Sequence, residues 1–211
     1  MPEIQRIGRL VGRRGISEAK RRAGVDEATR RLLLGFVVPT WTGAGLADWA
    51  CHRATDIEHT AGRRESVIHA AMMTQAGIPA LLGLLFEVNA GVLATTLAAL
   101  GSHQVTAVWD VAYAENRRKV TATEQHVHGL LEQVPVMATA FLFAVHWDQA
   151  RALLPRSPER PRFKLERKRK PLSRPYLAVL FAAITGLTAV PYGNELWRCQ
   201  QAAQEAKAPP R

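Results

Sequence analysis

Charge and apolarity are segregated along this chain. Ser66 to Phe86 carries no Asp, Glu, Lys or Arg, and neither does Val88 to Trp109. A bilayer core takes about 20 mainly apolar residues per helix, so each run predicts a membrane-spanning helix. Leu32 to Ala47, continuing to about Cys51, predicts another, and so does Pro175 to Asn194. Gly129 to Trp147 completes the set, with Glu132 in its first turn. The pattern therefore predicts an all-α integral membrane helical bundle of five spans. Residues 1–31 form a basic N-terminal segment, 32–147 a four-span bundle, 148–174 a basic loop, 175–194 the fifth span and 195–211 a polar tail. Small residues in GAGLA and NAGVLATTLAAL suit close helix approach in lipid. A soluble bundle with long buried helices is the competing reading, and two adjacent uncharged runs of this length argue against it.

Overall hydropathy conceals this pattern. Hydrophobic residues make up 47% of the chain and the mean hydropathy is only −0.09, because the charged residues sit between the spans. MPEIQRIGRLVGRRG lacks an early apolar core, so no cleavable signal is expected and the first span would act as its own insertion signal. Residues 16–31 read as an amphipathic surface helix.

The 28 Lys and Arg all fall outside the proposed spans. With five spans, residues 1–31, the junction at Glu87 and residues 148–174 share one face, which holds 19 of the 28. Such a face stays cytoplasmic. This places the chain in a bacterial inner membrane with its C-terminus outside. The net charge of +10 and the run RFKLERKRKPLSR would otherwise suggest nucleic acid. Topology explains the charge without it, and anionic lipid headgroups are the nearer partner. Trp49, Trp109 and Trp197 fall near outer span ends and Trp147 near an inner one, as interfacial aromatic residues do. Cys51 and Cys199 both reach the outer side, where a disulfide and two free thiols are both open.

The candidate chemistry lies at that outer side. Asp48 and His52 are four residues apart, as are Glu65 and His69, and His128 and Glu132; His103 and Asp110 are seven apart. Each pair shares a helix face. Antiparallel neighbours bring the end of one span beside the start of the next, so the four pairs converge. Buried charges must be paired or bound to metal, and mixed Glu/His sets from several helices are characteristic of carboxylate-bridged dinuclear sites. The expected ligands are Glu65, His69, His103, Asp110, His128 and Glu132, followed by Asp48, His52 and His126. Glu124 and His126 could instead orient a ligand, since the two-residue offset turns His126 away from His128. Tyr113 is a relay or an interfacial anchor, His59 could go either way, and His146 lies at the far end. Glu87, with Asn89, is expected to cap a helix. Arg117, Arg118 and Lys119 are expected to balance Asp110, Glu115 and Glu124.

The strings ESVIHAAMM from Glu65, WDVAYAENRR from Trp109 and EQHVHGLLEQVPVMA from Glu124 resemble a family of small bacterial multi-span membrane proteins, over roughly residues 31–150. That resemblance implies a helical membrane fold and brings no activity with it. The cluster is also similar in kind to integral-membrane di-iron desaturases and hydroxylases. The HxxxH and HxxHH boxes of those enzymes are absent here, and their sites face the cytoplasm. A looser similarity, through Ser66, His69 and Asp110, is to alkaline ceramidase-like zinc enzymes, which have seven spans.

These observations lead to the expectation of two iron ions and oxidative chemistry on a lipid or other hydrophobic substrate. No nucleotide-binding or Fe–S motif is present, so a separate electron donor protein would be required. Zinc-dependent lipid hydrolysis is the alternative enzyme. A haem carrier would not need so many acids. A metal transporter or assembly protein should carry polar groups through the midplane, where only Thr74, Gln75, Thr95 and Thr96 occur.

Overall fold

The computed structural model describes residues 27–28 and 31–207, and within them the regular structure is helical, with no strand and an irregular stretch over 152–173. The surface helix expected over 16–31 falls almost wholly outside the described residues. A π-helical turn, Leu33–Val37, runs into α1, Val38–Ala54. A 3-10 turn at Ile57–His59 leads to α2, Gly62–Leu85, which is followed by α3, Ala90–Glu115, and α4, Ala122–Val145. The short α5 is Trp147–Arg151. α6, Arg174–Ile184, passes through a second π turn, Thr185–Ala189, into α7, Val190–Glu205.

Both π turns have the same local cause. Each is followed by a Val-Pro pair, Val38-Pro39 and Val190-Pro191. Proline has no N–H to donate to the carbonyl four residues back, and its ring crowds that carbonyl. Widening by one residue relieves the crowding while the helix continues.

Gly62–Leu85, Ala122–Val145 and Arg174–Glu205 are each long and apolar enough to cross a membrane. Within their most apolar windows only 11%, 11% and 17% of residues are buried inside the protein. The hydrophobic side chains therefore point outward, the reverse of a water-soluble fold. α3 is long but interrupted by Ser102, His103 and Gln104, although Leu97, Val105 and Val108 on it are also exposed. Thr74, Thr95 and Thr96 each donate to the carbonyl four residues back, which satisfies them inside their own helices.

α2 packs against α3 and α7, and α1 packs against α4. α7 does not stop where apolarity ends at Asn194, and the expected polar tail is helical to Glu205. At the opposite end, residues 162–169 cross the Phe86–Gly91 turn as a strap. Glu87 N donates to Glu166 O at 2.8 Å, Lys168 N to Leu85 O at 3.1 Å and Gly91 N to Arg162 O at 3.0 Å. Asn89 caps α3 by accepting from Val92 N. Glu87 does not cap that helix, because its carboxylate accepts from Arg169 N.

Candidate metal centre

The most buried part of this protein is polar. Asp48, His52, Glu65, His69, Asp110, Glu124 and Glu195 are each at most 4% exposed. They come from the ends of α1 and α3 and the starts of α2, α4 and α7 that meet them. α7 inserts beside α1 and α2, and its second turn carries Tyr192 and Glu195 into the cluster.

Glu195 organises the centre. Its carboxylate lies 2.9 Å from His52 Nδ1 and 3.4 Å from His69 Nδ1. A carboxylate only accepts, so both imidazoles carry a proton on Nδ1; His52 presents a bare Nε2, whereas His69 Nε2 is itself hydrogen-bonded to Asp110 Oδ2 at 3.1 Å. The two rings stack with centroids 4.5 Å apart and planes 4° from parallel. His52 Nε2 lies 3.4 Å from Asp48 and 3.6 Å from Glu124. His128 Nε2 lies 2.9 Å from Asp48 Oδ1 and 4.0 Å from Glu124. His69 Nε2 lies 3.1 Å from Asp110 and 4.0 Å from Glu65.

Several of these close approaches are not hydrogen bonds. His52 Nε2, Asp48 Oδ1 and Asp110 Oδ1 are buried with no hydrogen-bond partner. The approach of His128 to Asp48 Oδ1 is short but misaligned. Ligands about 2.1 Å from one metal ion lie roughly 3.0 Å apart at right angles and roughly 3.4 Å apart at tetrahedral angles. The spacings among Asp48, His52 and His128 match such edges. Two groups have ligand atoms within 4.8 Å of one another: Asp48, His52, Glu124 and His128, and His52, Glu65 and His69.

Arg118, on the loop between α3 and α4, closes one side of the cluster. Its Nη1 donates to Glu124 at 2.9 Å and its Nε to Glu65 at 3.2 Å, and Nη2 bonds both carboxylates. Burial opposes its charge, but the bonds to Glu124 and Glu65 outweigh that and hold the guanidinium well above its ordinary pKa. The charge does not balance even so. With neutral imidazoles, Asp48, Glu65, Asp110, Glu124 and Glu195 against Arg118 leave four negative charges. Protonating all three imidazoles would still leave one.

Of the residues expected as ligands, Asp48, His52, Glu65, His69, Asp110 and His128 are brought together. Glu124 lies fully inside the cluster rather than in a loop. His103 and Glu132 are outside both groups and line an adjoining cavity with Asp48, His69, Asp110 and His128. His126 is exposed on the other side of α4. Arg118 balances Glu124, as charge pattern suggests, and also Glu65. Arg117 instead stacks on Tyr113, 3.9 Å from the ring centroid, and Lys119 is exposed. Tyr113 donates to Ala61 O, and so anchors the loop before α2. His59 is exposed and pairs with Asp56 at 2.9 Å, a hydrogen bond that raises its pKa and keeps it in its own turn. Cys51 and Cys199 are free thiols.

Sequence reasoning missed Glu195 and Tyr192. The Tyr192 hydroxyl lies 2.9 Å from Asp48 Oδ2 and 3.0 Å from Gly45 O. Their spacing held a signal: Tyr192, Glu195 and Cys199 recur at three and four residues, the buried face of a helix. No known protein family, curated protein or solved structure matches the chain.

Proposed function

We propose that this chain is an integral membrane metalloprotein that holds two metal ions near the outer membrane face and uses them for oxidative chemistry on a hydrophobic substrate. One observation carries the reading. A buried excess of carboxylate over cation surrounds one imidazole nitrogen, His52 Nε2, and two carboxylate oxygens, Asp48 Oδ1 and Asp110 Oδ1, that have no hydrogen-bond partner. Two divalent ions would neutralise the four negative charges and satisfy those atoms. Asp48, His52, Glu124 and His128 would hold one ion. Glu65 and His69, which group with His52 within 4.8 Å, would hold the other, with Asp110, 3.1 Å from His69 Nε2, as a further ligand. The set has only nitrogen and oxygen donors, which suits iron, and iron supplies the redox capacity when bound. Glu195 fixes the ring orientation of His52 and His69. Tyr192 holds Asp48, and Arg118 holds Glu65 and Glu124 while closing the centre to water. Electrons would come from a separate donor protein.

In this reading the three strongly apolar helices, together with α1 and α3, make five spans. The basic N-terminal segment and the strap at residues 162–169 lie on the cytoplasmic face of a bacterial inner membrane. Exposed Trp109 and Trp197 at one end and exposed Trp147 at the other support that frame.

The two half-sites can be separated. Asp48→Asn removes a ligand from the first and Asp110→Asn from the second. Iron content in each purified variant is expected to fall to half the wild-type value, and the double variant is expected to carry none. Unchanged iron in all three would overturn the proposal. One zinc per chain with no iron taken up would replace oxidation with zinc-dependent hydrolysis.

A further inference from the structure

The cavity beside the centre has a second end that the metal reading leaves unused. It runs from Asp110 and His128 to Trp41, His103 and Glu132, with Met72 among its apolar walls. His103 stands seven residues before Asp110 on α3, about 10 Å along the helix axis. It is 3% exposed, and neither ring nitrogen makes a well-formed hydrogen bond, although the Met72 backbone lies close to the ring. The indole N–H of Trp41 is also buried and unpartnered. Buried polar groups are normally satisfied, so three unmatched nitrogens on one cavity wall mark a place where something else supplies the bonds.

The shape and chemistry of the cavity define that group. The cavity measures about 30 Å³ and is open on one side. That space holds one or two water-sized groups and no more. The indole N–H can only donate, which excludes an ammonium head. Glu132, Asp48 and Asp110 on the same cavity disfavour a carboxylate or phosphate. A hydroxyl is the smallest neutral group that both donates and accepts, so it can serve Trp41 and His103 together.

Resting on the metal reading for its role but not for its binding, we propose that this chamber seats the hydroxyl of a membrane-borne alcohol, with His103 and Trp41 as its contacts. The apolar tail leaves through the open side of the cavity. The hydroxyl end is thereby fixed at a set distance from the metal centre. Water is the other source of the same chemistry, and the test separates the two.

The experiment measures quenching of Trp41 fluorescence in detergent-purified full-length protein, taken as the difference between wild type and Trp41→Phe. The probes are 2-bromodecan-1-ol, which carries its bromine beside the hydroxyl, and 2-bromodecane at equal mole fraction in the micelle. Saturable quenching by the alcohol is expected, at least fivefold stronger than by the alkane. It is expected to fall to the alkane's level in His103→Leu and in the cavity-filling Ala107→Leu. Equal quenching by the two probes in wild type would overturn the proposal, as would alcohol quenching unchanged in both variants. No quenching by either would assign the chamber to water and overturn it too. Metal content measured on the same samples tests the metal reading separately, since quenching requires no bound metal.

Discussion

Glu195 accepts from two imidazoles at once, so its loss should be felt twice. Glu195→Ala leaves the Nδ1–H groups of His52 and His69 buried and frees both rings to turn. Removing such an outer partner typically costs 10–100-fold in metal affinity. That weakening is the expected outcome, read by metal titration, and His126→Ala should leave the affinity unchanged. Arg118→Met should destabilise the metal-free protein by about 3–5 kcal/mol, because Glu65 and Glu124 would keep their charges without the guanidinium. Denaturant unfolding in detergent checks this, and adding metal should recover part of the loss. At this scale the sequence was informative where a carboxylate and an imidazole share a helix face, as in Asp48 with His52 and Glu65 with His69. It was not informative for Glu195, whose imidazole partners lie 143 and 126 residues away. Nor does periodicity show how far along a face the site extends. His103 lies on the Asp110 face, yet two turns of helix carry it into the chamber beyond.

Among the elements, α7 and the strap depart most from the hydropathy pattern. Apolarity ends at Asn194, but the helix continues because nothing there breaks it. From Glu195 onward its buried positions are set by contact with α2 and the Ile57–His59 turn. Cys199 packs on Ile57 and Ala61, and Arg198 pairs with Glu58. A window average cannot reveal a helix held by such contacts. The strap depends on close approach at Gly91, where an added Cβ would lie 2.9 Å from Phe163 Cα and 3.0 Å from its carbonyl oxygen. Backbone cannot yield as a flexible side chain can, so Gly91→Ala should cost about 1–3 kcal/mol. Thermal unfolding measures that cost. Metal content should be unaffected, since the strap lies at the opposite end of the helices from the centre.

For the whole molecule, the distribution of charge and apolarity made the helical membrane character legible from sequence. Uncharged runs became helices whose apolar side chains remain outside. What sequence could not supply was the neighbour relation among helices, which depends on side-chain packing rather than chain order. The centre is consequently built from five helices, where pairing along the chain suggested four. The proposed five-span topology predicts that a thiol placed at Arg160 reacts only from the cytoplasmic side and one at Lys207 only from outside, in a chain with Cys51 and Cys199 replaced. Labelling with a membrane-impermeant maleimide, before and after permeabilisation, checks both. The central claim is more direct still: we propose that two ions meet the buried excess of carboxylate over cation and the unpartnered His52 Nε2, Asp48 Oδ1 and Asp110 Oδ1. The decisive measurement is an anaerobic ferrous titration of the detergent-purified wild-type chain, with bound iron and protein quantified on the same samples. The account predicts saturation at two irons per chain, and a chain that binds no iron, or only one, would contradict it.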